Sequence, residues 1–127
     1  MPSIAGENAP KIDRVELAKL LLEKSERQLA RARNWHKKRS YGESMRQAIH
    51  SIEHSTQVMR LLLGMEYEHE LPGSAWFGQL VGAFPPEHGS DKDAERLKRL
   101  AGELFHTAKI ALDRSRNPDD PTSSAAG

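Results

Sequence analysis

Met45, Ile49, Ile52, Thr56, Met59 and Leu63 follow one another at 4-3-4-3-4 spacing. That spacing lays one continuous apolar seam along a helix of about six turns. Gly64 comes next, the residue type that helices use to stop in a left-handed cap. A second seam runs through Leu97, Ala101, Leu104, Ala108 and Ala111. A third runs through Val15, Ala18, Leu22, Ser25, Leu29 and Ala32 at 3-4-3-4-3, widened by Leu17, Leu21 and Trp35. Three such stripes in 127 residues predict an all-α fold, because each stripe must be buried against another helix.

The punctuation between the stripes sets the organisation. Asp13 is placed as an N-cap, with Glu16 three residues on as a capping-box partner. Ser40-Tyr41-Gly42 makes a tight connection to the second helix at about 42–63. From Gly64 to Ser90, five glycines and three prolines exclude another long helix. A short one is expected over Ala75 to Val81, with Trp76, Phe77 and Leu80 turned inward. The last long helix starts at Ser90 or Asp91, both good caps, and ends before Asn117-Pro118. The expected architecture is an up-and-down helical bundle of three long helices plus one short helix, spanning residues 12–117. Residues 1–11 read as a flexible arm and 118–127 as a disordered tail.

Composition excludes several chemistries. The chain has no cysteine, so it has no disulfide, thiolate nucleophile or thiolate metal site. No apolar run approaches the roughly 20 residues that span a bilayer, and no signal-peptide pattern opens the sequence, so a cytoplasmic location is expected. P-loop, dinucleotide and Ser-His nucleophile motifs are absent. No cofactor is expected.

Charge is uneven beneath a net of +1. Residues 11–40 hold ten Lys/Arg against four Asp/Glu, residues 41–72 two against five, and residues 91–120 seven of each. Arg27, Arg31, Arg33, Lys37, Lys38 and Arg39 are interleaved with Trp35, His36 and Tyr41, a mixture that can grip phosphates and stack bases. In an up-and-down arrangement the first and last helices are expected to finish at the same end of the bundle. Arg114 and Arg116 then join Arg33, Lys37, Lys38 and Arg39 in one surface for an anion, RNA or an acidic partner. Glu66, Glu68 and Glu70 would sit at the other end as a solvated acidic loop.

His50 and His54 stand at i and i+4, a spacing that can place two imidazoles on one metal. No third ligand follows in sequence, so no metal is expected. At 100° per residue the pair lies opposite the Met45–Leu63 seam. Val58 and Leu61 are placed on that same outer face, which predicts a homodimer contact of His50, His54, Val58 and Leu61.

Three stretches, LAKLLLEKSERQLARA, YGESMRQAIHSIEHSTQVMRLLLGME and HELPGSAWFGQLV, together resemble the HEPN family. These are small helical domains found beside nucleotidyltransferases and in toxin–antitoxin and RNA-processing systems. The likeness covers roughly residues 15–116 and includes the turn Arg60-Leu61-Leu62-Leu63-Gly64. It implies a dimeric module with a nucleotidyltransferase partner and an RNA or nucleotide ligand. Members that cut RNA carry Arg, four to six residues, then His. Arg99 and His106 have that spacing, as do Arg31 and His36. Leu100 follows Arg99 where nuclease members usually place a polar residue, and the pair lies within the last helix. The expectation is therefore a non-catalytic member. The first alternative is a metal-independent ribonuclease using Arg99 for phosphate charge and His106 as acid or base. The second is a helical bundle of an unrelated family without a ligand.

Overall fold

The computed structural model describes residues 13–63 and 74–116. Three long helices, α1 (Arg14–Lys37), α2 (Tyr41–Leu63) and α4 (Asp91–Arg116), enclose the core. A short helix, α3 (Ser74–Ala83), and a 3-10 turn (Pro86–His88) precede α4. The N-terminal arm, the C-terminal tail, Gly64, the Glu66–Glu70 run and the side chains of Leu63 and Trp76 lie outside the described residues.

Both caps read from the sequence are present. The Asp13 carboxylate accepts from Val15 N–H at 2.9 Å, and Ser90 Oγ accepts from Asp93 N–H at 3.1 Å. The tight connection between α1 and α2 turns at Arg39, which takes the left-handed conformation, at φ 62°. Ser40 N–H bonds Trp35 C=O and Arg39 N–H bonds His36 C=O, the paired arrangement that closes a helix with a left-handed residue. Gly42 belongs to the first turn of α2 and has a different duty. A Cβ there would meet the Pro86 carbonyl at 2.6 Å, so glycine lets the 3-10 turn lie on the start of α2.

Small residues set the packing. Ala18, Ser25 and Ala32 on α1, Ser44 and Ser51 on α2, and Ala94, Ala101 and Ala108 on α4 recur every seventh residue and are fully buried. Seven residues make two turns of a supercoiling pair, so each set stays on one seam. Between α1 and α2 the small residues are hydrogen-bonded. Ser25 Oγ donates to Ser51 C=O and Ser51 Oγ donates back to Ser25 C=O, each at 2.9 Å. Ser55 Oγ lies 2.7 Å from Ser25 Oγ, and Ser44 Oγ donates to Ala32 C=O at 2.7 Å. Hydroxyls on so short a side chain reach a neighbouring helix's carbonyls only where the two backbones run close. The α2–α4 contact is apolar instead, with Met45, Ile49 and Ile52 packed among Ala94, Leu97 and Ala101.

The direction of α4 is the main departure. His36, at the end of α1, hydrogen-bonds Asp91, at the start of α4. Leu22 and Lys19, near the start of α1, border the same groove as Leu112 and Arg116. Helix α4 therefore runs antiparallel to α1 and parallel to α2. Between α2 and α4, Phe77, Leu80 and Phe84 pack on the core. The short α3 thus stands in the returning leg of an up-and-down bundle.

Candidate functional site

The 3-4 spacing of buried positions on α1, from Ala18 through Leu22, Ser25, Leu29 and Ala32, reaches His36 next. The imidazole consequently stands where a core residue would, at the open end of the seam, with its side chain 13% exposed. Three groups hold it. Nε2 donates to Asp91 Oδ1, Glu95 Oε2 lies 3.6 Å from Nδ1, and Tyr41 meets the ring edge-on at 5.4 Å between centroids. Nδ1 is buried and makes no hydrogen bond among the described residues. Glu95 also binds Lys98 Nζ at 3.1 Å.

Two grooves open on either side of this cluster. One, of about 610 Å³, is bordered by His36, Asp91, Lys92, Glu95, Arg96 and Arg99. The other, of about 420 Å³, is bordered by Arg33, His36, Lys37 and Lys98. Together they gather six cations against two carboxylates. Lys92, Arg96 and Arg99 recur at 4-3 spacing on one exposed face of α4, and none of them forms an ion pair among the described residues. Lys38 and Arg39 are exposed just beyond, at the end of α1. Such excess cationic charge around concave surface attracts phosphates and other polyanions.

Several expected groupings are rearranged. Arg33, Lys37, Lys38 and Arg39 do share one end, but Arg114 and Arg116 lie at the opposite end because α4 runs the other way. The cations that actually join the α1 terminus are Lys92, Arg96, Lys98 and Arg99. Their place on α4 depends on the direction of the long connection, which seam periodicity does not carry. Of the interleaved aromatics, Trp35 has Lys38 Nζ 5.2 Å from its ring, and Tyr41 meets His36 edge-on. His36 itself was legible as the next step of the α1 seam.

Arg99 and His106 share the exposed face of α4 two turns apart, with the exposed Glu103 between them. Arg99 borders the larger groove, whereas His106 borders neither. Nor do His50, His54, Val58 and Leu61 form one outward face. Val58 is 0% exposed, packed with Ala18, Leu22 and Ala108, and Leu61 leans on the same cluster. Helix α2 is central, touched by α1 on one side and α4 on the other, so its buried arc is wider than one seam. Val58, one of the two apolar residues that suggested a second copy, is already covered within the chain.

Of the two histidines, His50 is exposed beside Glu53 at 3.9 Å. His54 is half-buried and donates from Nδ1 to Gln28 Oε1 of α1 at 2.7 Å. Burial pushes the His54 imidazole below the usual histidine range, with Glu53 opposing the shift. Among the described residues no three His, Cys, Asp or Glu side chains are grouped to hold a metal ion. No helix among them is long and apolar enough to cross a membrane. Compared with protein-family models, with curated proteins and with solved structures, the chain matches none.

Proposed function

We propose that this protein is a non-catalytic, HEPN-like helical module that binds a phosphate-bearing ligand, RNA or nucleotide, at the end where α1 stops and α4 starts. The observation that carries the reading is the pair of grooves meeting at His36, with Arg33, Lys37, Lys92, Arg96, Lys98 and Arg99 on their rims. Neither the core nor the caps employs most of these charges, so they remain available to an anion. The HEPN resemblance adds a nucleotidyltransferase as the partner to which such a module would present its ligand. The ribonuclease alternative draws less support, because Glu103 stands between Arg99 and His106 and would repel a phosphate placed between them.

The test is binding of a labelled RNA oligonucleotide to the full chain across a salt series. Changing Lys37, Lys38 and Arg39 together to Ala should weaken binding by about ten-fold and flatten its salt dependence. The melting temperature should stay nearly unchanged, because exposed charges contribute little to folding. Changing Arg114 and Arg116 to Ala, at the far end, should leave affinity within about two-fold. Equal losses from both ends would overturn the assignment. RNA cleavage that disappears with Arg99→Ala or His106→Ala would replace it by the ribonuclease reading.

A further inference from the structure

Three grooves follow the line where α1 meets α4. The one at the far end is balanced in charge: Lys19, Lys109 and Arg116 face Glu23, Glu26 and Asp113 over Leu22, Phe105 and Leu112. Exposed large apolar residues, Leu20, Val81 and Ile110, lie on three different helices. The serine cluster has its hydroxyls hydrogen-bonded within the core. The His36 end combines concave surface with an excess of cations over carboxylates, which the balanced far groove lacks.

That end is divided. Asp91 and Glu95 border the larger groove beside His36, and Glu95 also holds Lys98 of the smaller one. An anion centred on this ridge would meet two carboxylates. On its α4 side stand Lys92, Arg96 and Arg99, and on its α1 side Arg33 and Lys37, none of them in an ion pair among the described residues. We infer that these are two phosphate subsites separated by the Asp91–His36–Glu95 ridge, and that they take two phosphates a few nucleotides apart on one single-stranded polynucleotide. The inference rests on the proposed phosphate ligand and names its class.

Three physical points select a single strand. Packed helices stand about 8–10 Å apart, a span of about three stacked nucleotides, so a short length of strand reaches from one subsite to the other. A mononucleotide fills one side only and leaves the other side's cations unused. A duplex is too broad and stiff to follow a furrow between neighbouring helices, and would touch only the outermost cations. Recognition then rests on backbone phosphates with little base preference, because no Trp, Tyr or Phe borders either groove.

The experiment uses the full chain and a fluorescent dodecamer of uridylate, with unlabelled single strand, duplex RNA of equal length, uridine monophosphate and poly-glutamate as competitors. Two variants separate the subsites: Lys92→Ala with Arg96→Ala and Arg99→Ala, and Arg33→Ala with Lys37→Ala. Each set should weaken single-strand binding by about ten-fold, and the α4 set should reduce the log–log salt slope by about 2. The single strand should compete at least ten-fold better than duplex, monophosphate or poly-glutamate. Strand binding that responds to the α1 set but ignores the α4 set overturns the two-subsite inference while sparing the proposed function. Duplex, monophosphate or poly-glutamate competing as well as the strand overturns the ligand class. Failure of every phosphate compound to bind at about 50 mM salt removes the proposed function itself.

Discussion

Helix α1 has two neighbours and treats them differently. Toward α2 it presents Ala18, Ser25 and Ala32, and the contact closes until serine hydroxyls bond carbonyls of the opposite backbone. Toward α4 it presents Lys19, Glu23, Glu26, Arg33 and Lys37, and the contact opens into grooves. The closed side fixes the relative position of two helices; the open side supplies concave, charged surface that a rigid pair can hold in place. The same helix is thus scaffold on one face and site wall on the other. Stability should therefore depend on the first face and ligand affinity on the second.

Ser25→Leu attacks that division most directly. Leucine at a fully buried small position must push α1 from α2 and leaves the Ser51 carbonyl and the Ser55 hydroxyl without the Ser25 hydroxyl. Urea unfolding should show a loss of about 3 kcal/mol. Leucine in place of Arg33, on the groove wall of the same helix, should cost within about 0.5 kcal/mol. Comparable losses at both positions would mean that the two faces are not distinct.

A smaller effect is expected at Arg39, where the closed seam ends. A non-glycine residue at φ 62° is strained, and Arg39→Gly should raise stability by up to about 1 kcal/mol. The same change removes one cation from the site end, so RNA binding should fall slightly while unfolding becomes harder. Opposite movement of the two measurements in one variant would sharpen the separation between scaffold and site.

The least effect concerns pH. His54 bridges to Gln28 across the α1–α2 contact, and its pKa is lowered by burial. A histidine with a folded pKa below its unfolded value of 6.5 binds more protons when unfolded. Its contribution is fully present above that value and is lost as pH falls through it toward the folded pKa. Stability should decline slightly over that window, and His54→Gln should flatten this part of the curve. Denaturant midpoints measured from pH 7.5 down to pH 5 report it; an unchanged slope in the variant would place the proton uptake elsewhere.

Much of the scaffold was legible as period and punctuation. The seams of α1, α2 and α4, the Asp13 cap, the start at Ser90 and the end before Asn117 follow from residue spacing and cap chemistry. Ser44, Ser51 and Ser55 were not legible as core, because serine scores as polar unless the partner helix is known to stand close. Val58 was misplaced for a related reason: one helix wheel assumes one partner, and α2 has two. The site was half legible. The α1 cations were visible as a run, but Lys92, Arg96, Lys98 and Arg99 reach them only because residues 64–90 reverse the chain once more. A glycine- and proline-rich connection records that it is irregular, not which end of the bundle it reaches.

That reversal also decides the sign of the backbone field at the site. Each helix end carries the equivalent of roughly half an elementary charge, positive at the N-terminus and negative at the C-terminus. With α4 parallel to α1, the site end would have held two C-termini and one N-terminus. With α4 parallel to α2, the three long helices bring to it the N-termini of α2 and α4 and the C-terminus of α1. The dipoles of the three long helices therefore sum in favour of anions at this end before any lysine or arginine is counted, and against them at the far end. Side-chain substitution can strip the cations from the grooves, but this underlying polarity belongs to the order in which the chain visits the two ends.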